Sequence, residues 1–91
     1  MITSSMLSPA QLRELTDELR GERARLQRAL ADADAAARAI AEERFDAVVD
    51  AIARLDDGSY GICAACTQPI PYGRLLVMPE TRHCVACGAR A

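Results

Sequence analysis

The segment CAACTQPIPYGRLLVMPETRHCVAC, residues 63–87, holds all four cysteines of the chain as two C-x-x-C pairs separated by seventeen residues. A single C-x-x-C serves either thiol redox chemistry or metal binding, but two pairs at this spacing are the signature of a tetrahedral zinc site. Each pair supplies two thiolates from one short turn, and the intervening chain folds back to unite them. Cys63, Cys66, Cys84 and Cys87 are therefore the expected ligands of one structural zinc ion, although thiolate coordination alone also admits iron. His83 abuts Cys84, but adjacent side chains point in different directions and four cysteines complete the shell without it. A closed shell leaves no position for water or substrate, which argues against hydrolytic metal catalysis. With the thiols committed to metal and no Ser-His-Asp arrangement evident, no enzyme is expected.

The rest of the chain must position this module. At 91 residues a single domain is expected, and a chain this short needs a staple, a metal or a partner to be stable. The 51% hydrophobic content is rich in alanine, and the aromatic residues are only Phe45, Tyr60 and Tyr72. The net charge of -2 is unevenly spread: residues 8–31 carry five arginines and four acids, residues 32–57 three arginines and eight acids, and residues 58–91 three arginines and one acid. The basic residues form no block, so no nucleic-acid footprint and no sequence-specific DNA binding are expected. No apolar run is long enough for a membrane helix, and MITSSMLSPAQL lacks the basic and hydrophobic regions of a signal peptide. A cytoplasmic location is expected, where paired cysteines hold metal more often than they form disulfides.

Two helices are predicted before the cysteines. Ser8-Pro9-Ala10-Gln11 offers an N-cap serine, a proline at the first helical position and a glutamine three residues after the cap. Leu12, Leu15, Leu19 and Leu26 form the first apolar seam, which Glu22–Arg23 interrupts. Ala41, Phe45, Val48, Ile52 and Leu55 form the second, ending at Asp56-Asp57-Gly58, where glycine suits a C-cap. The expected fold is mainly α: residues 1–7 a flexible N-terminus, 8–57 an antiparallel two-helix coiled-coil hairpin with its tip near 32–37, and 58–91 a four-cysteine finger with short β elements. One continuous helix would need a second chain to cover both seams; the hairpin lets a monomer bury them. Leu75-Leu76-Val77 is expected to be a short strand, and Ile62, Ile70, Leu75 and Val77 to cover the metal site and the hairpin base. Asp32 and Asp34 lie at the far end, either as caps of the second helix or as acid groups that a slim hairpin could carry into a cleft.

The stretch LDDGSYGICAACTQPIPYGRLLVMPETRHCVAC resembles the DksA/TraR family of bacterial transcription regulators. It shares with them a helix ending in acids, then GSYGIC, the paired cysteines, PIPYGRL, and a proline before the second pair. The resemblance covers roughly residues 10–87. It implies a protein that binds bacterial RNA polymerase through the secondary channel, with the hairpin tip approaching the catalytic centre and the zinc module at the channel mouth. The tip of DksA-type members has the form Asp-x-x-Asp-x-Ala, and Asp34-Ala35-Ala36-Ala37-Arg38-Ala39 is the nearest stretch here. Asp34 takes the first acid position and Ala39 the alanine position, while Ala37 stands in place of the second acid and Asp32 is a candidate substitute. Thr67 stands where glycine often follows the second cysteine, which implies a modest change in the backbone of that knuckle. Family members often continue into a C-terminal helix that helps form a surface for guanosine tetraphosphate. With Ala91 as the last residue, strong dependence on that nucleotide is not expected. Two other readings fit the residues alone: a zinc-stapled adaptor for another protein, and a nucleic-acid-binding zinc ribbon.

Overall fold

The computed structural model describes residues 6–88. Helix α1 runs from Pro9 to Asp32 and α2 from Ala35 to Asp57. The start of α1 is a capping box: Ser8 Oγ accepts from the Gln11 amide at 3.1 Å, and Gln11 Oε1 accepts from the Ser8 amide at 2.9 Å. Two N–H groups that the helix leaves unpaired are thereby satisfied. Ala33 and Asp34 break the helix, each with an extended backbone, and the chain reverses there. A single continuous helix is thus excluded. At the other end of α2, Gly58 adopts a left-handed φ of 84° and donates its N–H to the Arg54 carbonyl. Glycine enters that conformation without the Cβ penalty other residues meet.

The two helices pack along the seams read from the sequence. Leu15, Leu19 and Leu26 of α1 and Val48, Ala51 and Arg54 of α2 are buried, with Leu12, Ala41, Phe45, Ile52 and Leu55 partly so. Glu22, which breaks the apolar seam of α1, crosses to α2 instead, where its carboxylate meets Arg44 at 3.4 Å. Burial is concentrated near the hairpin base. Beyond Leu26 and Ala41 toward the turn, most side chains are exposed and alanine dominates residues 29–39, with Ile40 66% exposed. The far end of the hairpin is therefore thin.

Below the hairpin lie two short helices, α3 (Tyr72–Val77) and α4 (Val85–Gly88). The expected strand at Leu75-Leu76-Val77 is helical. Pro71 precedes it, and the Pro71 carbonyl accepts from both Arg74 and Leu75 amides, which closes a first helical turn. The burial pattern follows: Leu75 is fully buried, whereas Leu76 and Val77 point outward. A strand would have turned Leu75 and Val77 to one face. Val77, at 81% exposure, therefore does not cover the metal site, while Ile70 and Leu75 are buried in the core and Ile62 is half-buried. Among the described residues, β structure amounts to one antiparallel bridge between Ile62 and Pro69. Tyr72 pins α3 to α1 through a 2.7 Å hydrogen bond from its hydroxyl to Glu14 Oε2.

Leu19 is completely enclosed at the level where α1, α2 and the lower module meet. Leu19→Ala should cost about 3 kcal/mol of unfolding free energy, from lost transfer plus the cavity left behind. Urea denaturation of the zinc-loaded chain checks this, and a loss below about 1 kcal/mol would mean the seam does not carry the fold.

Candidate metal centre

Each pair of cysteines is presented by a tight turn. In the first, the Thr67 amide donates to the Cys63 carbonyl at 3.0 Å, and the Cys63 amide donates to the Gln68 carbonyl at 2.9 Å. Thr67 has φ of 61°, the left-handed region. The turn keeps the conformation glycine would favour and strains a β-branched residue to do so. In the second pair, Cys84 immediately precedes α4 and Cys87 lies within it, with the Gly88 amide donating to the Cys84 carbonyl at 2.8 Å.

These turns bring all four expected ligands together. The Sγ atoms of Cys63, Cys66, Cys84 and Cys87 lie within 4.8 Å of one another, and Cys66 Sγ stands 3.8 Å from Cys84 Sγ. Zinc–sulfur bonds of about 2.3 Å set a tetrahedron edge of roughly 3.8 Å, so this separation suits a shared ion. The donor set makes the same demand. Amide donation from Cys66 and Cys84 draws the Cys63 thiol down to about 5, while the neighbouring thiols, Cys84 first, push Cys87 up to about 12. Four thiolates this close require a divalent cation to ionise together. The finger binds one structural zinc. His83 contributes no ligand atom to this group. Its backbone carbonyl accepts from Arg74 Nε and from Thr81 Oγ1.

The segment that leads into Cys84 ties the metal site to the hairpin. Every carbonyl from Pro79 to His83 is held from outside the segment. Tyr60 Oη donates to Pro79, Arg54 Nη2 to Glu80, Arg54 Nη1 to Thr81, the Ala64 amide to Arg82, and Arg74 Nε to His83. Arg54 is the centre of this strap. It is 8% exposed, pairs through Nε with Asp50 Oδ2 at 3.1 Å, and lies 5.9 Å from the centre of the Tyr60 ring. Asp50 also meets Arg82 at 3.5 Å. Burial raises the Tyr60 phenol to about 12, which keeps it a neutral donor to Pro79. Sequence reasoning missed Arg54, because an arginine four residues after an aspartate reads as a solvent-exposed helix pair. The available signal was its place on the buried line of Val48 and Ala51, three residues further on.

At the opposite end, Asp34 is the N-cap of α2: its Oδ1 accepts from the Ala37 amide at 2.9 Å. Asp32 ends α1, and Asp32, Asp34 and Ala39 are all exposed. The hairpin separates these residues from the cysteines, so metal and tip are distinct features.

Residues 58–91 match the model of the prokaryotic dksA/traR C4-type zinc finger. The chain thus carries a DksA/TraR-type finger, and its fold is similar to that of a solved Dks protein. An RNA polymerase binding protein and transcriptional regulator Dks from Chlamydia trachomatis L2 superposes with a TM-score of 0.74, covering 92% of this chain and 90% of that one at 20% identity. Transcription factor DksA2 from Pseudomonas aeruginosa matches with a TM-score of 0.49 at 28% identity, covering 89% of this chain and 74% of that one. An uncharacterized protein of Aquifex aeolicus VF5 is 43% identical over 37 residues, which are 41% of this chain and 26% of that protein. The chain therefore aligns with only about a quarter of that curated relative's length.

Arg54→Lys retains the charge but not the planar fork that reaches Asp50, Glu80 and Thr81 at once. It should cost about 2 kcal/mol, because carbonyls at the hairpin base lose their donor. Denaturation with zinc in excess measures this; unchanged stability would mean the strap is not an energetic link.

Proposed function

We propose that this chain is a DksA-type regulator that acts in the cytoplasm by binding bacterial RNA polymerase, with its hairpin in the secondary channel. Asp34 and Asp32 are directed toward the catalytic centre, Ala39 fills the position of the family's tip alanine, and the zinc finger sits at the channel mouth. The observation that carries this reading is the thin end of the hairpin. Helices of 24 and 23 residues extend about 35 Å at 1.5 Å rise per residue, and small side chains with exposed carboxylates form the turn between them. Such an end fits a narrow passage and presents negative charge to a cation or basic wall. The match of the finger and the Dks-like fold support the same partner.

Asp34 serves two ends in this reading. One carboxylate oxygen caps α2 through the Ala37 amide, and the side chain as a whole remains exposed to a partner. Ala37, in place of a second acid, leaves the tip with one carboxylate fewer than the family form, and Asp32 is the nearest exposed acid to replace it.

Asparagine caps a helix as well as aspartate does but carries no charge. Asp34→Asn should therefore retain helix content and polymerase affinity while the effect on open-complex lifetime falls. The zinc-loaded chain is measured first against a known secondary-channel factor in competition for purified polymerase, then the variant in transcription assays. Saturable, competitive binding with a weakened effect in the variant is expected. Failure of the wild-type chain to compete at micromolar concentration contradicts the channel assignment, and full activity in the variant contradicts the tip assignment.

A further inference from the structure

Leu76, Val77 and Met78 are 49%, 81% and 40% exposed, directly after the fully buried Leu75. Three consecutive outward apolar side chains are costly on a surface unless another molecule uses them. Leu76 and Val77, with Leu19 and Pro79, line a groove of about 150 Å³ where the end of α3 meets α1. A groove of that volume has room for a single side chain. Its other lining residues are Glu18, Glu22, Glu80 and Arg44, three carboxylates against one cation.

The pairing of these groups leaves negative charge available. Arg44 is engaged with Glu22 at 3.4 Å, and Arg25 holds Glu22 at 2.7 Å and Glu18 only at 3.8 Å. Among the described residues, no cation lies within 4.0 Å of the Glu80 carboxylate. The walls are fixed before any partner arrives. Tyr72 ties α3 to Glu14 of α1, and Arg54 holds the Glu80 backbone. A pre-organised groove in which exposed apolar side chains adjoin charged ones is suited to a protein contact.

We propose that this groove docks a segment of a partner protein that presents one aliphatic side chain flanked by arginine or lysine. The aliphatic group lies against Leu76, Val77 and Pro79, and the cations meet Glu18 and Glu80. Phosphate backbones and acidic segments are repelled by the same rim. This inference does not depend on which protein supplies the segment, and its test is separate from polymerase binding.

Amide spectra of the zinc-loaded, isotope-labelled chain are followed during titration with the blocked peptide RRLRR and its charge-reversed counterpart EELEE. Saturable shifts centred on Leu19, Leu76, Val77 and Glu80 are expected with the basic peptide alone. The double variant Glu18→Gln, Glu80→Gln should weaken that binding roughly fivefold with its fold unchanged, and Val77→Ser should weaken it through the apolar centre. Equal shifts from both peptides, shifts centred instead on the acidic face of α2 around Glu43 and Asp46, or no shift at millimolar peptide would each overturn the proposal. Concentration-dependent shifts at the groove without peptide would overturn it in favour of a second copy of the chain.

Discussion

The structure depends on one constraint: the backbone from Pro79 to His83 must satisfy the hairpin base and the metal site together. Its carbonyls are held on one side by Arg54 and Tyr60, and on the other by Ala64 and Arg74, immediately before Cys84 supplies a zinc ligand. A chain of this size has too little core to fix a finger beneath a long hairpin by apolar contact alone. Zinc supplies the missing cohesion, since binding free energy at a structural site is folding free energy. The strap carries that cohesion into α2 through a buried guanidinium. Removing one partner of such a group costs more than the pair contributes, because the remaining polar atoms stay buried without a donor.

The same constraint divides the molecule into a stiff base and a slender end. Leu15, Leu19, Val48, Ala51, Tyr60, Ile70 and Leu75 form one cluster around the junction. Toward Ala33 and Asp34 the helices are lined largely by alanine, and Asp34 caps the start of α2. That distribution suits a function in which the base sets direction and the end reaches. It also explains why Asp34 can cap α2 and remain at the surface: the turn has little bulk to bury it.

Much of this was legible in the sequence because it is local. Ser8, Pro9 and Gln11 specify the start of α1 through groups within one helical turn, and Gly58 specifies the end of α2 in the same way. The spacing of Cys63, Cys66, Cys84 and Cys87 encodes a chemical requirement rather than a shape, so the cluster could be read without knowing the fold. Leu75-Leu76-Val77 was misleading because a short apolar run has no distinguishing period; the Pro71 carbonyl, which closes a helical turn, decided it. Arg54 was hidden for a different reason. Its burial is created by a loop 26 to 27 residues further along the chain, and no local pattern reports that contact. The outward face of Leu76 and Val77 became visible only once α3 replaced the expected strand.

Zinc site, strap and hairpin base should therefore behave as one cooperative unit. Amide hydrogen exchange of the zinc-loaded chain, compared with the same chain after chelation, tests this most directly. The account predicts that amides at the C-terminal end of α2, around Val48 to Leu55, lose protection together with those of the finger. Protection of α2 that survives chelation unchanged while the finger exchanges freely would contradict it, because the hairpin would then be independent of the metal that is held here to anchor it.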